Sequence, residues 1–515
     1  MFVRLAGIII LLFFCLSSCH HEKRNHTYVE VPDSSISKGR ELAKIYCQSC
    51  HTLPDPALAD ARTWYEGILP QMGPRLGIYN YQFQKYPSRR TDRNLPGNFY
   101  PSKSLMSDIE WQHIVDYYCS NSPDSLPSQD RKFPISRELP FFRVIKPAGH
   151  FKAPAISMVK AGIQSNGSSF AIADAINFTI TSYDRSLQIR DTIHANGPIV
   201  DQISADSDNM IFCDIGILNP NDGRFGKLIY VTEKNGKTQT AKVLFDSLRR
   251  PVKVLEADLN GDGKKDFLVC EFGNLLGALS WLEKTDTGYR RRILKATPGA
   301  IDVQIYDYNH DGLPDIWCLF AQGDESISLF TNLGNGKFTE QQVIRFPPIY
   351  GSSSFELDDF NKDGFMDVLY TCGDNADYSA VLKPYHGIYI FMNDSKNHFT
   401  QKSFFPLNGA YKAMAKDFDG DGDLDIAGIS FFPDFIHQPE ESFVYLENQG
   451  GLQFKPYSFP ESAIGRWLTM DIGDIDADGK ADIILGNFSI APSFIQEHAN
   501  WKSGPPFIIL KNQYK

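Results

Sequence analysis

The sequence lacks an excess of positive charge. It contains 51 Lys and Arg residues against 62 Asp and Glu residues, which gives a formal net charge of −11 over 515 residues. This acidic balance disfavours general binding to nucleic acids, because the phosphates would be repelled. Hydrophobic residues make up 42% of the chain and aromatic residues 13%, so the chain can bury sizeable cores and is not disordered. Its length suggests two or more domains or one large repeat fold.

Several motifs that identify catalytic or metal sites are also missing. The chain has no P-loop, no GxSxG elbow, no second Cys pair with zinc spacing and no tryptophan-docking quinoprotein repeat.

The N-terminus has the pattern of an export signal. Arg4 precedes the apolar run 5–16, which is too short for a membrane span and suits the core of a signal peptide. Residues 16–19 resemble a bacterial lipobox, in which cleavage before Cys19 leaves a lipidated cysteine; the alternative is an ordinary signal peptide with a chance Cys. The resemblance implies a lipid anchor in the cell envelope, with the outer membrane preferred and the periplasmic or surface side left open.

The clearest chemical signal is the pentapeptide Cys-Gln-Ser-Cys-His at 47–51. Two thiols at this spacing can form thioethers to one porphyrin, while the next residue presents an imidazole to the iron. Cys47 and Cys50 are thus the predicted attachment points, and His51 is the predicted iron ligand. A redox dithiol and a zinc pair are the alternatives, but neither a βαβ context nor a second Cys pair accompanies the motif.

The surroundings of this motif are helical in pattern. Apolar residues with helical spacing precede it, and a capping box at 107–110 begins a second amphipathic helix. Residues 35–122 resemble a small all-α class I cytochrome c domain, and this resemblance implies one haem c.

Two methionines are candidates for the sixth iron ligand. Met106 lies at a conventional distance from His51 but adjoins the start of the last helix. Met72 follows a helix predicted over about 56–69, and the stretch from His51 to Met72 resembles a cytochrome subfamily with such a Met. We prefer Met72 and keep Met106 as the alternative; the one not used is expected to pack in the core.

Beyond residue 139 a nine-residue pattern, Dx[DN]xDGxxD, recurs five times. Side-chain oxygens at positions 1, 3, 5 and 9, with a backbone carbonyl at position 7, match the coordination that Ca²⁺ takes in an EF-hand-like loop. The flanks have strand patterns rather than helical ones, and Asp-Gly turns without metal are the alternative reading. The predicted ligand positions are Asp258, Asn260, Asp262, Lys264 and Asp266; Asp307, Asn309, Asp311, Leu313 and Asp315; Asp359, Asn361, Asp363, Phe365 and Asp367; Asp417, Asp419, Asp421, Asp423 and Asp425; Asp474, Asp476, Asp478, Lys480 and Asp482.

These loops resemble the FG-GAP or VCBS repeats of integrin-α-like β-propellers, where each loop joins the two inner strands of a blade. Their spacing suits four-stranded blades. Two earlier units, 156–194 and 199–245, keep the strand rhythm without the ligands, which predicts seven blades. The C-terminus supplies only three strands of the last blade, so we expect residues 141–145 to add its outer strand and close the ring.

Five other cysteines remain, and because this number is odd at least one of them must stay unpaired. No disulfide framework can therefore be predicted for them. Buried free thiols are the preferred interpretation where the residue lies in an apolar strand pattern. The five are Cys119, Cys213, Cys270, Cys318 and Cys372.

Together these patterns predict a multidomain lipoprotein with an all-α cytochrome c domain and an all-β, seven-bladed, calcium-binding propeller. The expected function is one-electron transfer by one haem c, with up to five Ca²⁺ ions stiffening a propeller that docks a redox partner such as a dehydrogenase or another oxidoreductase. An electron carrier is favoured over a stand-alone enzyme. The alternatives are a propeller-based oxidoreductase with haem c as internal electron acceptor, and an adhesion or glycan-binding propeller. The predicted segments are a signal peptide 1–18, a tether 19–34, the cytochrome c domain 35–122, a linker 123–139 and the propeller 140–515.

Overall fold

The computed structural model describes residues 25–162, 169–206, 209–234, 237–374, 381–491 and 501–515. The predicted signal peptide and Cys19 lie outside these ranges. Within them, an N-terminal unit of helices and one small hairpin precedes a ring of four-stranded sheets. The described helices are all too short or too polar to cross a bilayer.

The N-terminal unit is not the all-α domain that the sequence suggested. The single helix expected over 56–69 is broken at residues 59–60: a 3-10 turn begins at Pro56 and ends at Leu58, and a second helical stretch, whose Thr63 N–H donates to the Asp60 carboxylate, runs on through Met72. A two-residue hairpin follows. The elements are α1 (Asp33–Tyr46), a 3-10 turn (Pro56–Leu58), a π-helical segment (Thr63–Ile68), α2 (Leu69–Met72), a second 3-10 turn (Gly73–Leu76), β1 (Asn80–Tyr81), β2 (Gln84–Lys85) and α3 (Asp108–Asn121).

Helices α1 and α3 cross in close contact. A Cβ atom added at Gly39 of α1 would lie 1.8 Å from the backbone oxygen of His113 in α3, so the crossing requires glycine. The predicted capping box begins α3, with the Ser107 hydroxyl accepting from the Glu110 N–H and the Glu110 carboxylate accepting from the Ser107 N–H. Trp64 packs on Tyr118 at 4.3 Å between ring centroids, and both belong to a separate N-terminal core.

Seven four-stranded antiparallel sheets form the rest of the molecule, which confirms the predicted number of blades. The second strands of blades 3 to 7 are buried over their full length, while the fourth strands are largely exposed or half-buried. Blade 1 consists of β4 (Ile156–Ala161), β5 (Phe170–Asp174), β6 (Thr179–Tyr183) and β7 (Ile189–His194); blade 2 of β8 (Ile199–Asp206), β9 (Asn209–Asp214), β10 (Gly226–Lys234) and β11 (Lys237–Leu248); blade 3 of β12 (Pro251–Ala257), β13 (Asp266–Glu271), β14 (Ala278–Thr285) and β15 (Gly288–Lys295); blade 4 of β16 (Ala300–Ile305), β17 (Ile316–Phe320), β18 (Ser326–Asn332) and β19 (Phe338–Arg345).

The remaining blades follow the same order. Blade 5 consists of β20 (Ser352–Asp358), β21 (Asp367–Cys372), β22 (Gly387–Asn393) and β23 (Phe399–Pro406); blade 6 of β24 (Ala410–Lys416), β25 (Asp425–Ser430), β26 (Phe443–Asn448) and β27 (Phe454–Tyr457); blade 7 of β28 (Trp467–Gly473), β29 (Asp482–Asn487), β30 (Phe507–Asn512) and β3 (Phe142–Ile145).

The ring closes as the sequence predicted. Strand β3 pairs antiparallel with β30, with Val144 opposite Leu510 and Ile145 opposite Ile509. The N-terminal strand thus completes the last blade and covers an edge that would otherwise expose unpaired backbone groups. The first strand of each blade contacts the first strands of the neighbouring blades, so these seven strands line the central channel.

The two faces of the ring differ. The acidic loops join the first and second strands of their blades and therefore lie on one face. The opposite face, here called the upper face, carries the connections from second to third strands and from each blade to the next.

The N-terminal unit lies on the upper face. The Thr52 hydroxyl donates at 3.1 Å to the backbone oxygen of Phe346, which lies in the connection leading into blade 5. The Tyr385 hydroxyl, in blade 5, donates at 3.2 Å to the backbone oxygen of Leu58 in the N-terminal unit. Arg89 reaches the Pro220 oxygen of blade 2 at 3.1 Å. The unit therefore spans from blade 2 to blade 5.

The predicted linker runs along blades 5 and 6 before it reaches β3. Gln129 donates to two backbone oxygens of blade 5, at Lys383 and His386. Arg131 forms an ion pair with Glu441, whose side chain is fully buried. The segment is thus fastened to the propeller by buried polar contacts.

Candidate functional site

The Cys-x-x-Cys-His motif lies at the C-terminal end of α1. Cys47 is the C-cap residue of that helix, and its thiol is half-buried against the N-terminal core, whereas Cys50 is exposed. Burial, together with the neighbouring Cys50 thiol, raises the pKa of the Cys47 thiol to about 12. Both cysteines are free in the structure.

The imidazole of His51 is oriented by its neighbour. Its Nδ1 lies 2.8 Å from the backbone oxygen of Thr52, so Nδ1 carries the proton and Nε2 keeps its lone pair. A backbone carbonyl in this position commonly fixes the tautomer of a metal-binding histidine. The Thr52 hydroxyl donates to the Phe346 oxygen in the connection between blades 4 and 5, which links the motif directly to the propeller.

The two candidate methionines occupy different environments. Met106 is only 6% exposed and belongs to the N-terminal core. Met72 ends α2 at the edge of that core and is partly exposed. The two candidate ligands therefore differ in burial: Met106 is enclosed in the core, whereas part of the Met72 side chain faces solvent.

Apolar side chains around the motif are partly open to solvent. Ile45, in the last turn of α1, is 63% exposed, and Leu105, whose backbone oxygen contacts the end of that helix, is 52% exposed. The Tyr46 hydroxyl donates to the Leu105 oxygen at 3.3 Å, and the Leu105 N–H donates to the Leu76 oxygen at 2.9 Å. Two thiols, an imidazole and a thioether, beside partly exposed apolar side chains, are the kinds of group that could hold a covalently attached porphyrin.

The five acidic loops share one hydrogen-bond pattern. In each, the carboxylate at position 1 accepts the N–H of the glycine at position 6 at 2.8–3.0 Å. The carboxylate at position 5 accepts the N–H of position 7 at 2.8–3.0 Å. The backbone thus curls around the carboxylates, as the predicted coordination pattern requires.

Position 9 of each loop is a buried aspartate with a second function. It accepts the N–H of position 2 at 3.0–3.3 Å and a backbone N–H near the end of the third strand at 2.7–2.8 Å. Burial raises the pKa of Asp425 to about 7, and those of Asp367 and Asp482 to about 6. These residues therefore fasten the loop to the blade whether or not a cation is bound.

Two loops bring three carboxylates close together. Oxygens of Asp417, Asp419 and Asp421 all lie within 4.8 Å of one another, as do those of Asp474, Asp476 and Asp482. Both loops carry Asp at position 3, where the other three carry Asn. In the fifth loop the Lys511 ammonium forms an ion pair with Asp476.

An asparagine that was not predicted recurs at the end of the third strand. Its backbone N–H bonds the position 9 aspartate, and its amide donates to backbone oxygens of the loop or of the preceding blade. The recurrence after each of the last four loops was visible in the sequence. The residues are Asn332, Asn393, Asn448 and Asn512.

The five remaining cysteines are buried and free, as predicted for apolar strand positions. Four of them lie in the second strands of blades 2 to 5, and the other lies in α3.

Comparison with known proteins agrees with the strand topology. The family model for the FG-GAP-like repeat matches residues 258–318, 307–370 and 417–485. No curated protein matches this chain significantly.

Three solved structures are similar in outline. Virginiamycin B lyase from Staphylococcus aureus is 13% identical over 72% of this chain and 98% of its own, with a TM-score of 0.45. The N-terminal domain of Nup159 is 10% identical over 75% and 98%, with a TM-score of 0.43. A streptogramin B lyase is 14% identical over 72% and 97%, with a TM-score of 0.43. At these scores the similarities carry no functional argument. The repeat matches and the seven sheets together show that the chain contains FG-GAP-like repeats within a seven-bladed β-propeller.

Proposed function

We propose that the protein is a c-type cytochrome that transfers single electrons and uses its propeller as a platform for a redox partner. The observation that carries this proposal is the arrangement at the end of α1. There, Cys47 and Cys50 are free thiols beside His51, whose Nδ1 is engaged and whose Nε2 is available. No other motif in the chain offers redox chemistry.

In this proposal the residues of the N-terminal unit hold a single haem c. Cys47 and Cys50 form the thioethers, His51 supplies Nε2 to the iron and Met72 supplies the sixth ligand, with Met106 as the alternative. The bound haem would supply a reversible one-electron couple. The chain's own contribution is to orient His51 through the Thr52 carbonyl and to cover the group with apolar side chains.

Calcium binding by the acidic loops is the second part of the proposal. The repeated curl of backbone around the carboxylates, and the two clusters of three carboxylates, support up to five sites. The loops with Asp at position 3 offer the greater negative charge, although Lys511 offsets part of it in the fifth loop. Bound Ca²⁺ would hold the first and second strands of blades 3 to 7 together at one face of the ring.

The platform role follows from where the N-terminal unit lies. The unit contacts blades 2 and 5 on the upper face, whereas the acidic loops lie on the opposite face. A partner that binds the propeller would therefore be held beside the redox unit without touching the calcium loops. A lipid on Cys19 would keep this assembly at a bacterial membrane, preferably the outer one.

Visible spectroscopy and redox titration of protein produced with a haem-ligation system test the proposal. We expect one haem per chain, a reduced c-type α-band and a reversible one-electron wave. A titration that requires two electrons per chain, or extra bands from another cofactor, would favour the propeller-based oxidoreductase instead. Absence of haem after co-expression of the ligation system would contradict the electron-transfer function.

A further inference from the structure

The fifth acidic loop, 474–482, departs from the hydrogen-bond pattern of the other four loops at position 3. In the first four loops, the side-chain oxygen at position 3 accepts the backbone N–H of position 5 at 3.0–3.2 Å. The corresponding residue of the fifth loop is Asp476. Its Oδ1 is buried and has no hydrogen-bond partner within the described part of the chain. The Asp476 carboxylate therefore does not brace the turn as its counterparts do.

The other carboxylate oxygen of Asp476 is held by Lys511 of β30. The Lys511 ammonium donates to Asp476 Oδ2 and lies 3.9 Å from Oδ2 of Asp478, the carboxylate at position 5. The three side chains are only 22–33% exposed, so solvent ions screen this contact less than they would screen an ion pair on the open surface. A cation of the chain thus already lies against two of the carboxylates that are predicted to bind Ca²⁺.

The strand position of Lys511 carries no cation in the other blades that have acidic loops. In blades 3 to 7, the next residue of the third strand donates its N–H to the position 9 aspartate, which aligns the five strands. In blade 3 the side chain at this strand position contacts position 3 of the loop, with the amide of Asn260 3.5 Å from the carboxylate of Glu283. The residues at this strand position are Glu283, Thr331, Met392, Glu447 and Lys511.

Lys511 also belongs to the strand pair that closes the ring. It lies opposite Arg143 of β3 in the antiparallel register, and opposite residues of such a pair project from the same face of the sheet. Asp476 compensates one of these two positive charges. If Asp476 were used to bind a metal, Lys511 and Arg143 would face each other as like charges, which is unfavourable. Calcium binding in the fifth loop therefore has a cost that the other loops lack.

We propose that Lys511 is an internal competitor for calcium in the fifth loop. Its ammonium neutralises Asp476 in the absence of metal, and Ca²⁺ must displace the ammonium before Asp476 can become a ligand. The fifth site then binds Ca²⁺ more weakly than the other four and fills last. Calcium thus reaches the blade that closes the ring only at a higher concentration. This inference rests on the calcium binding in the proposed function, and it adds the order of occupancy and the residue that sets it.

Isothermal titration calorimetry with CaCl₂ tests this order on metal-stripped protein that comprises the whole chain after the predicted signal peptide. Lys511→Met introduces the residue that blade 5 has at the same strand position, so it removes the charge with little change in volume. We expect the weakest site to become about tenfold tighter or more, because the ion pair no longer has to be broken. Lys511→Arg keeps the charge and should leave the site weak.

Two further variants assign the effect to this loop. Lys402→Met removes a positive charge at an exposed position of β23 and should change the affinity of no site. Adding Asp474→Asn to Lys511→Met removes the position 1 carboxylate of the fifth loop, and the gain in affinity should then be lost. The expected effect of Lys511→Met is a gain in affinity, which a damaged fold would not produce.

The possible outcomes separate this inference from the proposed function. Calcium affinities that are unchanged in Lys511→Met, or a gain that persists when Asp474→Asn is added, would overturn the inference while calcium binding itself stands. A Lys511→Arg variant that binds as tightly as Lys511→Met would also overturn it, because the charge would then not matter. No calcium binding by the wild type or by any variant would contradict the calcium part of the proposed function, and this inference with it.

Discussion

The buried carboxyl group of Glu325 provides a quantitative prediction about the junction of blades 4 and 5. Glu325 is 2% exposed, and its carboxylate accepts from the Ser352 N–H at 2.9 Å, the Ser352 hydroxyl at 2.5 Å and the Gly351 N–H at 3.2 Å. Burial raises its pKa from 4.5 to about 7, against these hydrogen bonds, and the nearby Asp374 adds to the increase. The folded state therefore favours the protonated form of Glu325.

The sign and size of the pH effect follow from that pKa. Since the folded pKa exceeds the unfolded one, the stabilisation is fully present below about pH 4.5 and is lost as the pH rises through about 7. The difference corresponds to about 3 kcal/mol in the free energy of unfolding. Glu325→Gln imitates the protonated form and removes this dependence. We expect the variant to gain up to about 3 kcal/mol relative to wild type between pH 5 and pH 8.

Urea unfolding at pH 5, 6, 7 and 8, followed by fluorescence of the buried propeller tryptophans, measures this change. The difference between variant and wild type removes the contributions of all other titrating groups. Glu138→Gln, at an exposed position of the linker, serves as the control and should show no pH-dependent difference. A Glu325→Gln difference that stays constant from pH 5 to pH 8 would refute the reasoning.

Three further predictions concern the N-terminal unit and the acidic loops. Gly39→Ala should destabilise the N-terminal unit by about 3 kcal/mol or more, because the new Cβ would clash with the His113 oxygen. Gly97→Ala, whose new Cβ meets open space, is the control, and thermal unfolding followed by the haem absorption band compares the two variants. Met72→Ala should abolish the sulfur-to-iron band near the red end of the ferric spectrum and shift the reduction potential. Met106→Ala should mainly lower the stability of the N-terminal unit, because it leaves a cavity in the core. The reverse result would assign Met106 as the ligand. Chelation of Ca²⁺ should lower the melting temperature of the propeller but leave the haem spectrum unchanged, since the loops lie on the face opposite the N-terminal unit. A melting temperature that calorimetry finds unchanged by the chelator would exclude structural calcium.

The ring architecture was predictable because its determinants are local and repeated. The spacing of the acidic loops indicated the blades, and three strands at the C-terminus predicted that β3 would complete blade 7. The capping box at Ser107 and Glu110 likewise predicted the start of α3. Each of these signals depends on residues close together in the chain or on a simple count of strands.

Contacts between distant segments were not predictable in the same way. The Thr52 bond to Phe346 and the Arg131 ion pair with Glu441 join residues about 300 positions apart, and no sequence pattern marks either. The break in the helix predicted over 56–69 follows the 3-10 turn Pro56–Leu58, and the Asp60 carboxylate, which accepts the Thr63 N–H at 2.8 Å, begins the next helical stretch.

The central claim is that this chain carries covalent haem on its Cys-x-x-Cys-His motif, and mass spectrometry of the proteolytic peptide containing Cys47 and Cys50 tests it most directly. In protein matured with a haem-ligation system, that peptide should carry the mass of one haem, and the Cys47→Ser, Cys50→Ser double variant should carry none. Recovery of the wild-type peptide with two unmodified thiols would contradict the account.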